Sequence, residues 1–282
     1  MKHFVSISAF CATALVAYAS ETCIWRGTNS KEAKEAANWV HNAVPQDGDI
    51  VVFDNTSSAA YSWNITIVPG SWTQTADYSG NVTVPVCDSM HFKVNGDITV
   101  NGGNLVFECD RTAVGDGSEE VKFGQGYTIE AVNLTVGIGA SMNSDGKGFA
   151  SSNGPGGGSG QYAGGGYGGG GALRNLTTGK GMTYGTAAAP TALGSGGSYS
   201  NAGGGGTGGG ALKLVVPGMT RIDGRLSVNG GNSAHSTGTG GSGGSIWIVE
   251  GTLAGSGTIS ANCGLSSVAG RHSGGGRIDI SS

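Results

Sequence analysis

The stretch G240-GSGGSIWIVEGTLAGSGTISANC-G264 decides how the chain is read, because it sets two strand-like apolar runs inside glycine-rich sequence. Its first half aligns with two others. In "GGGALKLVV" (208–216), "GGSIWIVE" (243–250) and "GGGRIDI" (274–280), Ala211, Ser245 and Arg277 coincide, so one string recurs at near-equal steps. Its second half aligns too: "RLSVNGG" and "TISANCG" end at Gly231 and Gly264, so Leu226 matches Ile259, Val228 matches Ala261 and Asn229 matches Asn262. A fainter copy, "GGGGALRNL", lies around Ala172. Self-similarity at a period of roughly 30 to 40 residues is the mark of stacked repeats, each unable to bury its apolar side alone. The alternation turns Ile246 and Ile248 inward and Trp247 outward, and it stacks Leu212, Ile246 and Ile278.

On the N-terminal side, residues 61–140 carry short alternating runs separated by Gly, Asn and Asp. In "HFKVNGDITVNGGNLVFECD" the apolar partners are Phe92 and Val94, Ile98 and Val100, Leu105 and Phe107. Asn95-Gly96 and Asn101-Gly102 are turn dipeptides. Taken alone, this half fits a sandwich or a coiled parallel solenoid. The repeats of 141–282, each of roughly 32–39 residues, favour the solenoid. The fold expected is all-β, a right-handed parallel β-helix with Gly-rich loops. Ahead of it, residues 20–60 place Trp25 and Trp39 around a helix-capable run and a turn before Ile50–Phe53, as a cap closing the end of the stack.

Glycine is 57 of 282 residues, about three times the usual ~7%, and charged residues are 12% against ~25%. An ordinary enzyme surface is richer in charge. Six prolines and no G-X-Y period exclude collagen. The tracts at 153–171 and 201–211 are either flexible coil or extended segments packed backbone to backbone, and their recurrence in register favours packing. Residues 1–19 read as a signal peptide, with an apolar run and Ala17-Tyr18-Ala19 as the cleavage site. The mature chain then has no membrane-spanning segment and is exported. A net charge of −4 without a basic cluster leaves no footprint for nucleic acid.

Few residues suggest chemistry. No phosphate loop is present, since Gly179-Lys180-Gly181 lacks the Ser/Thr and the preceding strand. No calcium-binding repeat occurs, so Asp116-Gly117 and Asp145-Gly146 read as turns. Glu108, Asp110 and Arg111 share one stretch, whereas a polysaccharide-cleaving site wants several acids clustered in a groove. His41, His91, His235 and His272 are isolated. Neither catalytic, metal nor cofactor-binding residues are assigned. Trp247, Tyr162, Tyr167 and Tyr199, with Tyr184, are candidates for surface contact, against the plainer reading that they pack over Gly loops. Cys87 and Cys109 stand close to one turn of a narrow β-coil apart. They are expected to form a disulfide between adjacent strands, whose ~4.8 Å spacing suits one. Cys23 and Cys263 are left free or cross-linking chains.

Two motifs resemble known exported proteins. Trp25, Gly27, Asn38, Trp39, Pro45, Gly48, Asp49, Val51, Val52 and Phe53 form a "W-x-G … NW … P-x-x-GD-x-VVF" opening. It resembles the start of bacterial autotransporter-passenger-like proteins. "GGSGGSIWI … L-x-GSGTISA-x-x-G", with "LGSGG" at 193–197, resembles Gly-rich repeats of large bacterial surface proteins. The resemblance implies an adhesin-like β-solenoid at the cell surface or in the matrix, with surface glycans or other copies of surface protein as partners. It brings no catalytic residues. Such proteins usually end in a β-barrel translocator or a sorting anchor, whereas this sequence stops at "RIDISS", as a fragment or a released protein would. A polysaccharide-binding or polysaccharide-cleaving β-helix is the alternative. Ice or mineral binding lacks a regular T-x-T array.

Overall fold

The computed structural model describes residues 19–112, 123–159, 162–172, 181–198, 204–267 and 271–281. The segment read as a signal peptide lies outside these residues apart from Ala19, and so does Tyr199. The described chain is nearly all strand and extended segment, with two 3-10 turns at Ala36–Asn38 and Val40–Asn42. The strands among the described residues are, in order, β1 (Thr22–Ile24), β2 (Ile50–Phe53), β3 (Tyr61–Ser62), β4 (Ser71–Gln74), β5 (Asn81–Val84), β6 (His91–Lys93), β7 (Ile98–Val100) and β8 (Asn104–Phe107). Then come β9 (Tyr127–Glu130), β10 (Leu134–Val136), β11 (Ser141–Asn143), β12 (Ala211–Ile222), β13 (Arg225–Ser227), β14 (Ser245–Ala254), β15 (Thr258–Ser260) and β16 (Arg277–Ser281).

Every pairing among these strands is parallel. One sheet runs β1-β2-β4-β7-β10-β12-β14-β16, joined at β12 by a branch through β6 and β9; the other runs β3-β5-β8-β11-β13-β15. Parallel neighbours cannot be joined by a tight hairpin, so the chain must leave each strand and return a level later. The long strand β12 shows how. Its first half pairs β9, with Leu212 opposite Tyr127, and its second half pairs β10, with Thr220 opposite Leu134. Between them the β12–β14 register shifts at Val216/Met219, beside Pro217, whose missing N–H cannot join a ladder.

The aligned residues of the sequence are hydrogen-bonded neighbours. Ala211 pairs Ser245 and Ser245 pairs Arg277; Leu212, Ile246 and Ile278 stand in one column. Leu226 pairs Ile259, and the Asn262 amide donates to Asn229 Oδ1 at 2.7 Å. The copy at Ala172 behaves differently. The strand before β12 in the sheet is β9, and Ala172 N–H instead donates to the His272 carbonyl at 2.7 Å. The rest of that string, from Leu173 on, lies outside the described residues.

The core is aromatic early and aliphatic late. Trp25 and Trp39 meet edge to face at 5.4 Å, and a chain of ring contacts runs Phe53–Trp72, Trp72–Phe92, Phe92–Phe107 and Phe107–Tyr127 at 5.0 to 5.5 Å. Beyond Tyr127 the inward positions are Leu212, Leu214, Ile246 and Ile248, all buried. Each ring from Phe53 to Tyr127 in this chain is an inward member of a strand, so the alternation of the sequence places it there.

The glycine tracts form a second packed body. In 238–244 the donor of each residue turns to a different neighbour, and every third residue returns to the same one. Thr239 and Ser242 donate to Ser198 and Ser195, while Gly241 and Gly244 donate to Gly231 and Val228. Segment 194–198 repeats the scheme: Gly194 and Gly197 donate to Gly209 and Gly206, and Ser195 and Ser198 to the hydroxyls of Ser242 and Thr239. A three-residue return without internal bonds is the geometry of an extended polyproline-II-type helix. The described tracts are therefore ordered backbone-to-backbone bundles rather than coil. Glycine is demanded here by space: a Cβ on Gly241 would lie 1.9 Å from the Thr207 carbonyl oxygen, and one on Gly206 1.9 Å from that of Gly231.

Candidate functional site

The residues singled out in the sequence do not converge. Glu108 is paired with the Lys147 ammonium, and Arg111 Nε donates to the Lys147 carbonyl at 3.5 Å. Asp110 Oδ1 accepts from the Thr112 amide and hydroxyl at 2.7 Å each, an Asx turn. These acids hold their own loops in place. Among the described residues, no three His, Cys, Asp or Glu side chains are placed to hold a metal.

The aromatic candidates separate. Trp247 does face outward and is half-buried, but Lys213 Nζ sits 3.9 Å from its ring centroid and its Nε1 donates to Ser281 Oγ at 3.2 Å. Tyr162, with φ +66°, lies under the Arg271 guanidinium at 3.9 Å. Tyr167 is not a surface residue. It is fully buried, its hydroxyl 2.6 Å from Ser245 Oγ and its ring 4.9 Å from Tyr184, because the glycine segment around it folds over the start of β14.

The expected Cys87–Cys109 disulfide is not formed; all four described cysteines are free thiols. The reason is register. Val84 pairs Phe107, which carries Cys87 to the level of Asp110 rather than Cys109. The two cysteines are one residue out of step and fall on opposite faces. Cys109 is buried 3.2 Å from Ser144 Oγ, whereas Cys87 is exposed. Cys23, in β1, is buried 3.6 Å from Asp49 Oδ2, and burial together with the Asp49 charge pushes its thiol up to about 12.

A candidate site in the described chain is the cleft around Cys87, lined by Trp63, Ile65, Pro85, His91, Phe92 and Tyr127. Its parts come from three levels of the stack. The Tyr127 ring is an inward member of β9, and its hydroxyl reaches both the Pro85 carbonyl and, at 3.1 Å, the Cys87 sulfur. On the outward side of the same pairing, Lys93 stands opposite Glu130. Glu130 bridges His91 Nε2 at 3.1 Å and Lys93 Nζ at 3.3 Å. Partial burial pushes the Cys87 thiol up, but hydrogen bonds from Tyr127, Ser89 and the Met90 and His91 amides outweigh it and leave it below an ordinary cysteine. Burial is the largest influence on Cys109 and holds that thiol above the ordinary value. Nothing in the sequence marks this cluster, since His91 in β6 pairs with Thr128 in β9 and no motif is repeated between the two strands.

A direct check follows from the two thiols. Ellman's reagent should label Cys87 first in the native protein, with a midpoint on the pH–rate profile below that of free cysteine. Cys109 should react only on unfolding. Equal native labelling of both, followed on Cys87→Ser and Cys109→Ser variants, would contradict the described environments.

The described chain is thus an all-β protein of stacked parallel strands with an appended glycine bundle. None of its described helices is long and apolar enough to cross a membrane. Comparison with family models, curated proteins and solved structures finds no match.

Proposed function

We propose that the chain is a right-handed parallel β-solenoid that works outside the cell as a structural or adhesive surface protein, without catalysis. The observation that carries the reading is the in-register column Ala211–Ser245–Arg277, repeated in Leu226–Ile259, on two wholly parallel sheets. Crossovers between parallel strands are right-handed in nearly all proteins, which sets the hand. Export accords with the resemblance to autotransporter passengers and with the apolar leader. The glycine bundle suits an exposed role, since its loops are held by backbone bonds rather than by a core that a single surface change would disrupt. Glu108 and Asp110, the acids set beside Arg111, are committed to Lys147 and Thr112.

The test is a glycan array and whole-cell adhesion in parallel with a turnover assay on polyuronates. Binding to cells or glycans without product release is the expected result. Product release that disappears in Glu108→Gln or Asp110→Asn would sink the structural reading and install a polysaccharide-cleaving β-helix in its place.

A further inference from the structure

The branch of the first sheet that begins at β6 turns one face outward. Strand pairing sets its outward positions in two rows, His91–Thr128–Lys213 and Lys93–Glu130–Val215. The alternate residues, Phe92, Ile129, Leu212 and Leu214, are buried in the core. The six outward residues hold two lysines and a histidine against one glutamate, in a chain whose formal net charge is −4. The face is therefore locally basic on an acidic protein, a complement for an anionic partner.

Two hollows flank Lys93. One, of about 200 Å³, is the Cys87 cleft, where Ile65 and Val86 are among the walls. The other, of about 380 Å³, lies over Ala131, Val132, Val215 and Pro217, with Val132 46% exposed. Among the described residues Glu130 is the one acid that lines either hollow. Apolar walls beside a few placed charges suit a sugar, whose C–H faces bury against the walls while its polar groups bond at the rim. Glu130 shows how the cations grip a carboxylate, standing 3.1 Å from His91 Nε2 and 3.3 Å from Lys93 Nζ. Side-chain exposure of 48% at Lys93 and 36% at His91 leaves both reachable from solvent. An exposed ion pair contributes little net stability, so Lys93 can turn from Glu130 to a bound carboxylate at small cost. Lys213, held 3.9 Å from the Trp247 ring centroid, supplies a second cation two strand spacings, roughly 10 Å, from the level of Lys93.

We propose that this face binds an acidic oligosaccharide, whose uronic-acid carboxylates meet Lys93 and Lys213 and whose rings lie over the two hollows. A carboxylate is chosen over a sulfate because Lys93 and His91 already close on a carboxylate of their own chain. Glu130 then acts as a built-in competitor, holding the two cations in place until the ligand displaces it. No bond is made or broken. The inference rests on the surface-protein reading, and names the glycan class and the place where it sits.

The test is isothermal titration of the full chain with oligogalacturonates, beside neutral and sulfated galactose oligosaccharides of equal length, with circular dichroism as the control for fold. The uronate should bind, the neutral sugar should not, and added salt should weaken binding because exposed charges are screened. Lys93→Gln and Lys213→Gln should each weaken it by about tenfold. Glu130→Gln should tighten it severalfold, since the ligand no longer competes with a carboxylate of the chain; a residue that merely held the fold would weaken it. Should a lysine variant fail to fold, Glu130→Gln and the salt dependence of the parent decide. Equal binding of the neutral sugar, or stronger binding of the sulfated one, overturns the carboxylate chemistry. Uronate binding that no variant changes overturns the face. A chain that adheres to cells but binds no oligosaccharide overturns the inference and leaves the surface reading standing. One that binds uronates at this face but does not adhere overturns the adhesive reading and leaves the site.

Discussion

Gly208→Ala should destabilise the protein by about 3 kcal/mol, at the upper end of what overpacking usually costs. The direction is unusual, because Gly→Ala at an ordinary position stabilises slightly by restricting the unfolded chain. At Gly208 the new methyl would lie 1.8 Å from the Gly194 carbonyl oxygen and 2.2 Å from its carbon, and both are backbone atoms that no rotamer change can move aside. Gly208 also donates to Phe149 and accepts from Gly148, each at 2.8 Å, so relief by backbone movement would break bonds on two sides. Gly275→Ala is the matched control. Its added methyl would have nothing within 4 Å and no left-handed φ, so the effect should stay within about 0.5 kcal/mol. Gly139→Ala separates space from conformation. It meets no atom within 4 Å but holds φ +82°, and the left-handed strain should cost about 1 kcal/mol. Urea midpoints of the three variants measure the order. A Gly208→Ala protein as stable as its parent would mean that the segments do not pack.

Trp39→Ala should cost about 3–5 kcal/mol, the range for removing a large aromatic from a core. The ring is fully buried and meets Trp25, Phe53 and Tyr61 at 5.4, 6.5 and 5.8 Å. Its Nε1 donates to the Ala33 carbonyl at 2.8 Å, tying residues 30–42 across the end of the stack. Without it that carbonyl is left unpaired, and water reaches Phe53 and Tyr61. Trp39→Phe keeps most of the volume and loses the bond, so it should fall between. The near-UV spectrum and the denaturation midpoint measure both. A loss below about 1 kcal/mol for Trp39→Ala would show that the ring is not what closes this end.

How much was legible depended on whether neighbours in space shared a motif. Between 208 and 281 the strand that stacks on β12 carries the same string, so alignment alone paired Ala211 with Ser245 and Leu226 with Ile259. Between 50 and 143 the step from one strand to its neighbour is uneven. Ile50 is answered by Ser71, whereas Asn104 has to wait until Ser141. No fixed period exists there to be read. The Cys87–Cys109 expectation failed for that reason: the spacing is a plausible step, but the ladder pairs Val84 with Phe107, and one residue of difference reverses the face. The Cys87 cleft was illegible for a related one, since Tyr127 reaches Cys87 from a strand much later in the chain.

What is local was written in the chain: strands rather than helices, inward Ile246 and Ile248 against outward Trp247, and glycine where backbones must touch. These follow from a two-residue alternation and from the absence of a Cβ, which any short window displays. Which segments meet outside the aligned repeats was settled by tertiary packing alone. Leu212 lies against Tyr127, from far earlier in the chain, and Gly241 lies against Gly231 on one side and Gly264 on another. Parallel pairing imposes no short connection, and a backbone donor accepts any carbonyl brought within reach. The choice among partners therefore rests on how the whole stack closes, and it is this closure that buries Tyr167 and parts the two thiols.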